Sequence, residues 1–200
     1  AFLATWRWKI LLHGGGYNIR WLRAIQLQLT GSFFNSVMPG AVGGDIVKIA
    51  YVIRDNPGKS KTQAMTTALL DRIIGLSGLF LMSWLLIIIN LETVRQIQAY
   101  WLIMAILSGV SAGFLLFFTA ALYHYKGSDP FEKLLNKQIP GLPFIAGIYR
   151  AVRVYRYARR GVVYAVLLSM IIQAMGLLLF YWMTFKILGF APAFGKIASI

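Results

Sequence analysis

Three stretches of this chain, residues 73–91, 99–125 and 161–185, contain no charged side chain. Each is near or above the roughly 20 residues that cross a bilayer as an α-helix. Inside lipid every backbone N–H and C=O must find a partner within the protein, so runs of this length and polarity are expected to be helical. The composition agrees, with 58% of residues hydrophobic and 13% charged. That is more apolar surface than a water-soluble domain of 200 residues hides in one core. A soluble helical core is the competing reading.

The net charge of +14 raises the question of nucleic acid, and the placement of the basic residues answers it. Arg7, Lys9, Arg20 and Arg23 precede the glycine-rich stretch around residue 43, and Lys48, Arg54, Lys59 and Lys61 follow it. A third group, Lys126, Lys133, Lys137, Arg150, Arg153, Arg156, Arg159 and Arg160, fills the segment between the second and third apolar runs. Residues 90–98 carry only Glu92 and Arg95. The positive-inside rule therefore places the three basic groups in the cytoplasm and 90–98 outside, an order the three spans satisfy. The expected location is the cytoplasmic membrane of a prokaryote.

Against that frame the stretch FFNSVMPGAVGGDIVK, 33–48, is anomalous. Both of its flanks are cytoplasmic, and the apolar segment before it, 24–38, is short for a full span. The expectation is a re-entrant hairpin over residues 21–53: one helix enters, the chain breaks at Pro39 to Gly44, and a second helix beginning at Asp45 returns. Non-helical backbone at membrane depth is tolerated where it is buried in protein or lines a wet cavity. Gly40, Gly43 and Gly44 would let backbone approach a ligand closely, and Asp45 is read as the N-cap of the returning helix, whose N–H groups would face an anion. The alternative is an ordinary turn at the membrane surface.

Asp71 and Arg72 stand at the head of the first uncharged run. Adjacent residues lie about 100° apart around a helix, so each needs another partner. Charges at depth face a cavity or a counter-ion. The alternative places both at headgroup level, where Arg72 would meet lipid phosphate. In the basic segment 126–160, Asp129, Pro130 and Glu132 form a helix start with a capping box. Arg150, Arg153, Arg156 and Arg159, spaced three apart among Tyr and Val, with Arg160 beside them, suggest an interfacial helix on anionic lipid. RNA is the competing partner there, without a folded RNA-binding motif.

The motifs FFNSVMPGAVGGD, DRIIGL and SMIIQAMGLLLFYWMTFKILGF, with RWKILL near the start, resemble the lysylphosphatidylglycerol synthase transmembrane region, also called the flippase-like domain family, over nearly the whole chain. The resemblance implies a membrane domain that translocates aminoacylated phosphatidylglycerol between leaflets; in bifunctional members a separate cytoplasmic domain makes that lipid. It also implies a functional set of Asn35, Pro39, Gly40, Gly43, Gly44, Asp45, Asp71 and Arg72. Combined with the charge pattern, it gives the glycine break and Arg72 as contacts for lipid phosphate. Asp45 and Asp71 would balance Arg72 and Lys48, or attract a cationic headgroup.

The expected fold is thus an all-α polytopic helical bundle with a re-entrant hairpin, spans over 61–91, 99–125 and 161–188, and a cytoplasmic amphipathic segment over 126–160, all in one domain. Ala1 in place of methionine and the apolar ending GKIASI suggest a fragment. With no cysteine, and with His13 and His124 far apart, neither a metal nor a cofactor is expected. Two other classes stay open. An integral-membrane lipid-modifying enzyme would have only Asp45 and Asp71 as intramembrane acids or bases. A scaffold would serve a glycosyltransferase or lipid synthase partner. The expected partners are anionic membrane phospholipids rather than nucleic acid, with a homo-oligomer possible.

Overall fold

A computed structural model describes residues 1–38, 43–95, 99–123, 149 and 152–188. Among the described residues every regular element is helical. The uncharged runs form the long helices α4 (Lys61–Ile89), α6 (Tyr100–Leu122) and α7 (Arg159–Leu188), with the one-turn helix α5 (Leu91–Val94) after α4 and a 3₁₀ turn at Val154–Ala158 leading into α7. Lys61–Ile89, Tyr100–Leu122 and Val154–Thr184 are each long and apolar enough to cross a membrane. Large apolar side chains such as Trp101, Leu102, Leu116, Phe180 and Ile187 point away from the protein, a surface suited to lipid rather than water.

Before these come α1 (Phe2–Gly14), α2 (Trp21–Val37) and α3 (Gly43–Asp55). The α2–α3 pair is antiparallel. Arg23, near the start of α2, donates from Nε to Asp55 Oδ2 at the end of α3 at 2.7 Å. At the other end the Gly44 N–H donates to Asn35 Oδ1 at 2.8 Å. At 17 and 13 residues, the two helices are about 26 and 20 Å long, shorter than the roughly 30 Å hydrocarbon core. Phe33, Val37, Met38 and Ile46 expose apolar surface around the break.

Helix α1 joins the two halves. Trp8 and Leu12 pack with Ala24, Leu27 and Val52 of the hairpin, whereas Leu11 packs with Leu70, Ile74, Val162 and Ala165 of the spans. A helix that buries apolar residues on two sides has no single stripe for periodicity to detect, so its sequence suggests no more than a basic flank.

The arginine-rich segment differs from the expected interfacial helix. Tyr149, Val152 and Tyr155 are fully buried, in the same core cluster as Leu70 and Ile74, and the Tyr155 hydroxyl lies 2.6 Å from Thr67 Oγ1 on α4. Residues three apart eclipse one another in a tight 3₁₀ turn. The spacing that lines up Arg153, Arg156 and Arg159 therefore also lines up Val152 and Tyr155 on the inner side, where protein and not lipid receives them, while Tyr157 stays 77% exposed. Pro39, Gly40, Arg150 and the expected helix start at Asp129, Pro130 and Glu132 lie outside the described residues.

Candidate functional site

The α2–α3 crossing depends on small residues at matched positions. Gly31 and Asn35 are four apart on α2, and Gly44 and Lys48 four apart on α3, so each pair shares a helix face. These faces meet so closely that a methyl group at Gly44 would overlap the Gly31 carbonyl oxygen, and one at Gly31 would come within 2.7 Å of Lys48 Cδ. A methyl group at Gly43 would meet Met38 Sδ at 2.5 Å. The space beside Gly43 and Gly44 is thus filled by the chain itself. This corrects the expectation that these glycines leave room for a ligand: their missing side chains allow helix–helix approach.

Asp45 is also placed differently from the sequence expectation. Helix α3 begins at Gly43, so Asp45 sits inside its first turn, where a carboxylate still complements the helix dipole. One turn on, Lys48 Nζ reaches Asp45 Oδ1 at 3.0 Å; from α4, Arg72 Nε reaches Asp45 Oδ2 at 2.5 Å. Lys48 is held further by Gln28 Oε1 at 3.4 Å and by the Trp8 ring, 5.0 Å from Nζ to the centroid. Such contacts compensate an ammonium for lost water. Lys48 and Asp45 are nearly buried, with side chains 6% and 14% exposed, while Arg72 is 42% exposed.

Asp71 takes a different partner from the ones expected. Its carboxylate accepts two hydrogen bonds from Arg7 on α1, from Nε at 2.8 Å and Nη2 at 3.1 Å, and Arg7 Nη1 donates to Ser169 Oγ on α7 at 3.0 Å. Asp71, Gly75 and Gly78 follow one another at i, i+4 and i+7, so one face of α4 receives Arg7 and Ser169. Arg72, about 100° round the helix, points to α3. The two charges do not pair with each other, as their adjacency requires.

The structure thus brings together Asn35, Gly44, Asp45, Lys48 and Arg72. It puts Asp71 in a second cluster, and Arg153, Arg156, Arg159 and Arg160 outside both. Gly31, Arg7, Ser169, Trp8 and Gln28 belong to these clusters but escape the sequence reading. Only Gly31 had a usable signal, a small residue four before Asn35 on a short apolar helix. Among the described residues no group of His, Asp and Glu is arranged to hold a metal ion.

Contacts of α4 with α7 and the segment leading into it fix the level of the cluster along the helices. Thr67 lies level with Tyr155, and Ser169 Oγ with the Gly75 carbonyl at 3.5 Å. Asp71 and Arg72 fall between these levels, roughly one helical turn inward of Arg159 and Arg160.

The chain is similar to a protein named UPF0104 membrane protein from Pyrococcus horikoshii, with 30% identity over 69 residues, 34% of this chain. That match spans 21% of the relative's length. No solved structure matches the chain significantly. The family model described as lysylphosphatidylglycerol synthase TM region matches residues 1–200, and the chain belongs to that family of membrane domains.

Proposed function

We propose that this domain translocates a lipid with an anionic phosphate past the α2–α3 hairpin of a prokaryotic cytoplasmic membrane. The substrate is an aminoacylated phosphatidylglycerol or a related anionic or lipid-linked species, and Arg72 is its phosphate contact. The observation that carries this reading is the charge of the cluster. Asp45 is shared by Lys48 and Arg72, so these three side chains keep one positive charge in excess. Arg72 is the member that reaches the surface. A phosphodiester carries one negative charge, and a guanidinium matches phosphate oxygens in a planar fork. Of the two roles considered for the aspartates, balancing the cations fits the observed pairs. Asp45 balances Arg72 and Lys48, and Asp71 balances Arg7. The exposed apolar residues at the hairpin tip offer a path on which acyl chains remain in hydrocarbon.

The test is translocation of a fluorescent phosphatidylglycerol by the full-length protein in liposomes. Arg72→Ala is expected to lower the rate at least tenfold, about 1.4 kcal/mol, in protein that remains folded. Wild-type rates in folded Arg72→Ala and Asp45→Asn would leave the cluster structural and remove this reading. Cysteines placed at Arg20 and Gly58 are expected to label from the same, cytoplasmic face; labelling from opposite faces would replace the re-entrant hairpin with a full span.

A further inference from the structure

A groove of about 710 Å³ runs between α4, α6 and the start of α7, walled by Leu81, Phe114, Phe118 and Leu167. Two hydroxyls in its wall are already satisfied by their own helices. Ser77 Oγ donates to the Ile74 carbonyl at 2.9 Å, and Thr119 Oγ1 to the Leu115 carbonyl at 2.8 Å. These two hydroxyls therefore make no polar demand on an occupant. Arg159 and Arg160, the last charges before the uncharged run of α7, line its cytoplasmic end together with Tyr123. Both arginines are exposed, and neither pairs with a carboxylate among the described residues.

We propose that this groove is a resident site for one anionic phospholipid, with an acyl chain along α6 and α7 and the phosphate on Arg159 and Arg160. An apolar trough with two cations that have no carboxylate partner among the described residues complements an amphiphile with a negative head; a zwitterionic lipid would bring a like charge to the arginines. Leu115, Val163 and Tyr164 are more than half exposed along the opening, so a chain can enter sideways from the bilayer. The site is separate from the Asp45 cluster. Leu81 is nine residues beyond Arg72, which turns it about 180° to the opposite face of α4.

These 200 residues contain no cysteine; with any cysteine elsewhere in the full-length protein replaced by serine, Thr119→Cys gives the groove a single environment-sensitive label. In nanodiscs, phosphatidylglycerol with brominated chains is expected to quench the label saturably, at about a thirtyfold lower mole fraction than brominated phosphatidylcholine. That preference corresponds to roughly 1 kcal/mol per arginine. The combined Arg159→Gln and Arg160→Gln variant is expected to lose it, and the corresponding Lys pair to keep most of it. The Lys pair guards against a folding defect in the Gln pair. Equal quenching by both lipids, a preference that survives in the Gln pair, or no quenching by either lipid would overturn the site. Lipid translocation is expected to persist in the Gln pair. A loss there, with normal transport by Arg72→Ala, would make the groove a transport route and exclude both a resident lipid and the role given to Arg72.

Discussion

At the α2–α3 crossing and at the junction of α1, α4 and α7, helices approach through glycines and place an aspartate between them. The junction is closed: Arg7 and Asp71 cancel one another, their side chains are 13% and 15% exposed, and Ser169 takes a further guanidinium hydrogen. The crossing is open: one carboxylate serves two cations, and the outer cation is 42% exposed. A neutral, buried pair fixes a fold but has nothing to offer a ligand. A cluster with surplus charge and one exposed end holds its helices and still attracts an anion. The comparison therefore separates Asp71 from Arg72, which neighbour each other in sequence but serve different ends.

The largest expected effect comes from the glycines, whose surroundings rank them. Gly44→Ala must push α2 and α3 apart, because its methyl group falls on backbone at Gly31. We expect a loss of about 3 kcal/mol or more, or failure to fold, in detergent unfolding. At Gly78 the obstruction is Ser169, whose Cβ would lie 2.6 Å away, whereas at Gly75 the nearest atoms belong to the Arg7 guanidinium at 3.5 Å or more. Gly78→Ala should cost about 1–3 kcal/mol, and Gly75→Ala close to nothing. A stable Gly44→Ala protein would show that the crossing is not tight. Loss of transport in Gly44→Leu says little about a headgroup, since the variant first disrupts packing.

The next effect tests whether the closed pair is only structural. Asp71→Asn leaves Arg7 nearly buried without its counter-charge, and a loss on the order of 3 kcal/mol is expected. Replacing both partners by apolar residues, Arg7→Met with Asp71→Leu, should recover most of that stability and preserve transport. Full stability with no transport in the double variant would give Asp71 a part in the lipid path and erase the distinction from Arg72.

The sequence reveals charge and hydropathy more readily than contact. The three long helices follow from their uncharged runs, and the hairpin from a short apolar segment between two basic flanks. The separation of Asp71 from Arg72 follows from helical geometry alone. What stays hidden depends on residues distant in the chain. Arg7 is 64 positions from Asp71 and Ser169 is 162 from Arg7, and nothing local distinguishes Arg7 from the other basic residues of its flank. The glycines are conspicuous in sequence, but the same absence of a side chain suits a ligand or a neighbouring helix; only the position of Gly31 decides. The burial of Tyr155 among the arginines stays hidden for a similar reason, since an aromatic residue at three-residue spacing fits lipid or a core equally well.

The smallest expected effect lies at the outer end of the hairpin, where Arg23 donates to both Asp55 oxygens at 2.7 and 3.3 Å. The hydrogen bonds from Arg23 hold the Asp55 carboxyl below its ordinary range. A depressed folded-state value stabilises the fold at pH above the ordinary carboxylate range and loses that contribution as pH falls through the lowered value. The pair is exposed to solvent, so it is worth less than about 1 kcal/mol. Unlike the inner cluster, it is outside the proposed lipid path. Asp55→Asn is therefore expected to lower the unfolding temperature slightly at pH 7, to converge on the wild type as pH falls through the lowered Asp55 value, and to translocate lipid normally throughout. A transport defect of the size expected for Arg72→Ala would mean that the whole hairpin moves as a unit during lipid passage, with its Arg23–Asp55 end as the hinge, and would extend the functional region from the crossing to the flanks.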